Sequence, residues 1–265
     1  MKSLRGLLFI TALTMLLPSF CAAADWGVSF ENKLGGAQYF ETYKPLSLKS
    51  KTEALYYEGV VAAVYQRKQG VVGRIDFSMP VTPSDVETWK TADVTIQTSD
   101  LKSWGTKSNI ELGYAIPSFE DRLVFAPMCR YGVNFTRFSR PNVNILNAGT
   151  VTSVVNEDCW VHHIDIGARF TNYISDKFTL KFMALCGIVV SNTVHTSEVK
   201  SINGIGGSII ETDMSLDYRF TESMRIGIGW FFGVQNLEGA TSGAIVWPDN
   251  ELYTYGGTAS LTKEF

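Results

Sequence analysis

Apolar and aromatic residues alternate with polar ones at a period of two through most of this chain, and that alternation restricts it to β-structure. The outward-type rows are Trp26, Val28 and Phe30; Leu55, Tyr57, Gly59, Val61, Ala63 and Tyr65; and Val71, Gly73, Ile75, Phe77 and Met79. Three more follow at Ile110 to Ile116, Leu123 to Phe135 and Trp160 to Phe170, and then three at Phe178 to Ile188, Ile210 to Phe220 and Met224 to Val234. A last row ends in Leu261 and Phe265, so the spacing predicts ten strands.

The opposite rows carry the charges: Glu58, Arg74 with Asp76, Glu111, Arg130, His163 with Asp165 and Arg169, Lys181, then Glu211, Asp213, Asp217 and Arg219. A water-soluble sandwich would bury its apolar rows and expose the ionic ones. A face that is aromatic-rich and uncharged, opposed to an ionic face, fits a sheet with lipid outside and a polar interior. Backbone groups facing lipid must all be paired, so such a sheet has to close. The expected fold class is all-β: a closed antiparallel transmembrane β-barrel of ten strands.

The connections alternate in length. Those at 67–70, 118–121, 172–177 and 221–223 are tight, whereas 41–53, 82–108, 139–158, 191–207 and 237–250 are long and rich in Ser, Thr, Asn and Gly. Short periplasmic turns opposite long extracellular loops are the pattern of outer-membrane barrels, and an even strand count places both ends on the periplasmic side. Trp26, Tyr65, Phe119, Phe125, Tyr173, Phe178, Phe220 and Phe265 are expected at that rim, and Phe40, Tyr57, Phe77, Phe138, Trp160, Trp230 and Tyr253 at the outer one.

At the start, Lys2 and Arg5 precede an apolar run from Gly6 to Leu17, and Ala22-Ala23-Ala24 supplies small residues for cleavage. Residues 1–24 therefore read as a secretory signal peptide and 25–265 as the barrel of a Gram-negative-type cell envelope. Phe20 before Cys21 is too bulky for a lipoprotein site. Losing the leader with its two basic residues takes the formal charge from −3 to −5, which excludes nucleic acid as a partner. Cys129, Cys159 and Cys186 are widely spaced, so neither a metal site nor a disulfide framework is expected, and no motif calls for a cofactor. The longest remaining apolar run, Phe182 to Val190, is about half of the roughly 20 residues that a membrane helix needs.

The terminal Phe265 resembles the closing aromatic that outer-membrane barrels present to their assembly machinery, although Lys263 departs from the usual apolar residue or Tyr two places before it. Ten strands, long outer loops and this length resemble the omptin family of outer-membrane endopeptidases, across the whole mature chain. That resemblance implies a barrel held in outer-membrane lipid, with a groove at the cell surface where water is activated between an Asp pair and an Asp-His pair. The segment Ser84-Asp85-Val86-Glu87-Thr88-Trp89 resembles the first half, with Asp85 and Glu87 spaced to share one side of an extended rim. In Ser191-Asn192-Thr193-Val194-His195 a histidine stands where the family has one, but Thr193 replaces its aspartate. Asp85, Glu87 and His195 are the candidate catalytic residues of an omptin-like endopeptidase acting on an extracellular peptide.

Other readings stay open. The three residues also suit a polar loop of a non-enzymatic surface barrel: an adhesin meeting a host ligand, a structural protein or a narrow solute pore. His163 and Asp165 share a face and could form a lumenal acid-base couple opposite Glu211 and Asp213, while His162 points the other way. The interleaved lumenal charges favour a cross-linked interior over a wide pore.

Overall fold

The computed structural model describes residues 26–118, 122–146, 148–151, 154–196, 201–204, 206–242 and 245–265; the expected leader and Phe119 lie outside them. The strands are β1 (Trp26–Tyr43), β2 (Leu48–Tyr65), β3 (Gly70–Thr91), β4 (Val94–Ser118), β5 (Leu123–Arg140), β6 (Val143–Ile145), β7 (Gly149–Val151) and β8 (Val155–Tyr173). They continue as β9 (Phe178–Thr196), β10 (Ile202–Gly204), β11 (Gly207–Thr221), β12 (Met224–Leu237), β13 (Ala240–Ser242), β14 (Ile245–Trp247) and β15 (Asp249–Glu264).

Ten of these are long, from 14 to 25 residues, and each pairs antiparallel with the next in the order β1-β2-β3-β4-β5-β8-β9-β11-β12-β15. β15 returns to β1, from Gly27 opposite Glu264 to Thr42 opposite Asp249, so the sheet closes and leaves no edge. Ten long strands form the closing ring, and the path of hydrogen-bonded strands runs on through β6 and β7 to twelve, two more than the spacing predicts. Five three-residue strands decorate the end with the long connections: β6, β7 and β10 extend the main sheet, and β13 with β14 forms a separate pair.

A membrane-spanning strand needs about 9–11 residues. Strands of up to 25 residues therefore project well past a bilayer, and they do so at the long-connection end. Much of what reads as external loop is strand. The segment 82–108 is a continuous hairpin of β3 and β4, turned at Ala92 and Asp93 with Ala92 at φ 49°. Its Val and Thr residues suit a pleated, half-buried surface even where the composition looks loop-like. At the other end the connections stay short; Ser175 Oγ accepts the N–H groups of Lys177 and Phe178 and so shapes one of the turns.

Orientation follows the alternation. Leu55, Ile166, Ile188 and Ile228 stand outward, each more than three-fifths exposed, while Asp165, Glu111 and Arg130 are buried inside. Aromatic contacts mark both rims: Trp26–Tyr65 and Phe178–Tyr218 at the short-turn end, and Phe40–Tyr253, Trp104–Phe135 and Phe135–Trp160 at the other. Phe138 corrects the expected girdle. It turns inward, 7% exposed, and stacks on Tyr39 with centroids 4.9 Å apart, because on β5 the outward row is the odd-numbered one that carries Phe135. Trp104 occupies the girdle in its place.

The interior is layered. A small apolar cluster of Val72, Ala115, Val124 and Ala126 lies toward the short turns. Next comes an ionic layer, and above that a second apolar cluster with Tyr39, Leu101, Phe138, Val161, Ile209 and Trp247. Glycines make room where charges crowd: a Cβ on Gly187 would sit 1.8 Å from Asp165 Oδ1, and one on Gly132 would sit 2.2 Å from His163 Nε2.

Candidate functional site

The ionic layer is built from neighbouring strands whose inward rows put opposite charges side by side. Arg74 donates to Glu31 at 2.8 Å and to Asp76 at 3.0 Å. Lys181 meets Asp217 at 2.7 Å, Arg169 meets Glu111 at 2.9 Å and Lys33 meets Asp213 at 3.4 Å. Arg130 joins Asp165 and reaches across to Glu211, at 2.5 Å. Most of these residues line a cavity of about 140 Å³. Each charge is paired across strands, which ties the wall together and leaves few ionic groups free to handle a solute.

His163 and Asp165 do come together, with Nδ1 2.9 Å from Oδ1, and both are almost fully buried. Glu211 faces the pair only through Arg130, whereas Asp213 is engaged by Lys33. His163 Nε2 has no hydrogen-bond partner among the described residues. The couple is part of the barrel's internal bracing. His162 points outward as expected, 2.8 Å from the hydroxyl of Tyr131.

The three candidate residues at the surface end are not brought together. Asp85 is exposed on β3 just past a bulge, and its carboxylate accepts the N–H of Val86 at 2.7 Å. Glu87, two residues on, is fully buried and points into the barrel. His195 lies on the outer face of β9, opposite in direction to the buried Asn192 and Val194, with Nδ1 2.8 Å from Ser201 Oγ. Asp85 and Glu87 share one face of β3 as expected, but only Glu87 is buried. The register irregularity falls before them, between Thr82 and Asp85; beyond it Asp85 pairs opposite Leu101 and Glu87 opposite Ser99 without a break, and the barrel wall separates Glu87 from His195.

What Glu87 joins instead was invisible in the sequence. Arg140, at the end of β5, donates from Nε to Glu87 at 2.7 Å, from Nη2 to Glu41 at 2.8 Å and from Nη1 to Glu157. Ser99 and Ser50 hydroxyls also donate to Glu87, at 2.9 and 3.2 Å, and the Tyr39 hydroxyl donates to Glu41 at 2.7 Å. One guanidinium thus clasps carboxylates from β1, β3 and β8 across the mouth. The clasp lies above the Phe40–Tyr253 girdle, at a height where Lys49, Lys51 and Glu251 face outward, so it stands outside the membrane-spanning belt.

Three carboxylates share one cation there, and their protonation divides accordingly. Burial, only partly opposed by Arg140 and reinforced by Glu87 and Glu157, pushes the Glu41 carboxyl up to about 8. Burial acts on Glu87 too, but the charge and hydrogen bonds of Arg140, with Ser99, outweigh it and hold that carboxyl below its ordinary range. Glu41 keeps its proton in the folded state above the pH at which the unfolded chain releases it. Its contribution is therefore complete in acid and is lost as pH rises through about 8. Glu87 has the opposite sign, contributing at neutral pH and losing that contribution as pH falls through its depressed value. Urea stability is expected to decline between about pH 5 and about pH 9, and Glu41→Gln should flatten that decline. A slope that Glu41→Gln leaves unchanged would refute the assignment.

No family model matches this sequence, and no curated protein resembles it significantly. Among solved structures, the outer membrane protease OmpT of Escherichia coli aligns with a TM-score of 0.64 at 10% identity, over 91% of this chain and 97% of that one. The architecture is omptin-like. The translocator domain of the autotransporter NalP from Neisseria meningitidis aligns at 0.43 and 10% identity, over 100% of this chain and 96% of that one. The transport unit of AIDA-I from Escherichia coli aligns at 0.44 and 10%, over 97% of each. At such identities the likeness to OmpT concerns the fold.

Proposed function

We propose that this chain is an integral protein of a bacterial outer membrane that acts as a closed barrel, presenting its projecting hairpins at the cell surface without conducting solutes. The observation that carries this reading is the stack across the lumen: a paired ionic layer, an apolar cluster over it and the Arg140 clasp above both. Long strands beyond the belt give the hairpins a stiff base from which to meet a partner. Water activation by Asp85, Glu87 and His195 would require Glu87 to leave Arg140 and cross the wall, which the observed pairing disfavours.

Refolded protein in planar bilayers is expected to give no conductance steps, and no cleavage of an extracellular-type peptide library. Regular open-channel steps would replace this reading with the pore. Cleavage abolished by His195→Ala would replace it with the peptidase.

A further inference from the structure

The longest break in the pairing of neighbouring long strands lies between β2 and β3. β2 and β3 pair from Tyr57 opposite Val81 down to Tyr65, and again above Lys51 opposite Thr88, but not between. Over that interval Thr52–Tyr56 remain paired with β1, from Thr52 opposite Tyr39 to Tyr56 opposite Gly35. On the far side Thr82 and Asp85–Glu87 remain paired with β4. The β2–β3 seam is thus unpaired across residues 52–56 and bounded by strand pairing above and below, while the β3–β4 seam beside it skips only Pro83 and Ser84: a window in the wall. Pro80 and Pro83 flank or lie in it and cannot donate to a ladder.

The window leads somewhere. Thr52, Ala54, Tyr56, Pro80, Val81 and Thr82 line a cavity of about 70 Å³ beneath the Arg140 clasp, and its inner wall includes Ala37, Leu101 and Phe138. Outside, Leu55, Tyr57 and Val81 belong to the lipid-facing surface, and Lys51 and Glu53 stand at the upper lip. The window therefore joins the membrane interface to a mainly apolar pocket, whose lining also includes Lys107, Asn134, Glu211 and Gln235. The Thr52 hydroxyl, buried without a hydrogen-bond partner among the described residues, lines the pocket beside the window. Lys49 and Lys90 face each other on the outer surface just above.

Those features select the occupant. An apolar cavity of about 150 Å³ takes a benzene ring, so a space half that size suits the end of an unbranched alkyl chain and not a ring. A buried hydroxyl without a partner calls for an acceptor on the same molecule. We propose that the window admits a medium-chain fatty acid from the membrane interface. Its tail is seated against Ala37, Leu101 and Phe138, and its carboxyl group accepts a hydrogen bond from the Thr52 hydroxyl.

The test is solution NMR of the full refolded chain, with Ala and Leu methyls labelled, in phosphatidylcholine nanodiscs. In one arm the lipid chains are deuterated and octanoate is added; in the other the lipid is protonated and octanoate is absent. Octanoate is expected to give nuclear Overhauser contacts to the interior methyls of Ala37, Ala54 and Leu101, and the lipid to the outward Leu55 only. Ala54→Trp, which fills the pocket, should remove the interior contacts while Leu55 keeps its own. Octanoate contacts confined to Leu55 would overturn the proposal. So would interior contacts from the lipid chains, which would make the occupant a leaflet lipid instead, or interior contacts that survive in a folded Ala54→Trp barrel.

Discussion

Replacing Arg140 with Met is expected to cost the folded barrel about 3–5 kcal/mol, the loss typical when one partner of a buried ionic group is removed. The reason is what stays behind. Glu41 and Glu87 are 2% and 0% exposed, and without the guanidinium these carboxylates and Glu157 face one another with only hydroxyl partners left. Desolvation that Arg140 offsets would then stand uncompensated, and protonation would be the only relief. Urea unfolding in phosphatidylcholine vesicles measures the change. Glu87→Gln added to Arg140→Met should recover much of the loss at neutral pH, since it removes a charge that the arginine was balancing, whereas Glu41 already holds its proton there. A single-variant cost below about 1 kcal/mol, the range of an exposed pair, would show that the clasp is solvated and not buried.

Ile228→Arg is expected to be nearly as damaging, at about 2–4 kcal/mol, for a reason that only a membrane supplies. Ile228 is 69% exposed, and its neighbours in register, Leu216 and Ala259, continue the same outward face. In a water-soluble protein a residue so exposed tolerates arginine to within about 0.5 kcal/mol. Here the guanidinium would project into hydrocarbon midway between the rim marked by Phe178 and Tyr218 and the one near Phe232. Folding yield and urea midpoint, compared between vesicles and a mild detergent, separate the two situations. If Ile228→Arg left the bilayer-folded state unchanged, the outward face would not be a lipid face.

The two substitutions also divide what could be read in the chain from what could not. Ile226, Ile228 and Trp230 announce their common direction by spacing alone, as do His163 and Asp165 theirs, because a strand sends alternate side chains to opposite faces whatever its neighbours are. The count of ten long strands followed from the same rule, together with the alternation of short and long connections. The hairpin of β3 and β4 was half legible: Val94, Thr95, Ile96 and Thr98 have strand character, but their polarity reads as loop when burial is taken as the guide. The inner apolar cluster left a trace too, since the inward row of β8 changes from His163 and Asp165 to Val161 and Cys159 toward the surface end.

The site was where local rules stopped working. Period two rightly assigns Asp85 and Glu87 to one face but cannot say which is buried: Asp85 stays in solvent, and Glu87 meets Arg140. Arg140 and Glu41 are 99 positions apart and meet only because the barrel closes through β15 and β1. By itself the sequence determined a closed, inside-out β-barrel, since alternation, turn length and the need to pair every backbone group in lipid are local or general constraints. The tertiary structure alone decided which carboxylates share Arg140, where the β2–β3 seam opens and that His195 faces away from Glu87. Those outcomes depend on strand register and bulges, and a shift of one residue there reverses a side chain without changing the pattern that specified the strand.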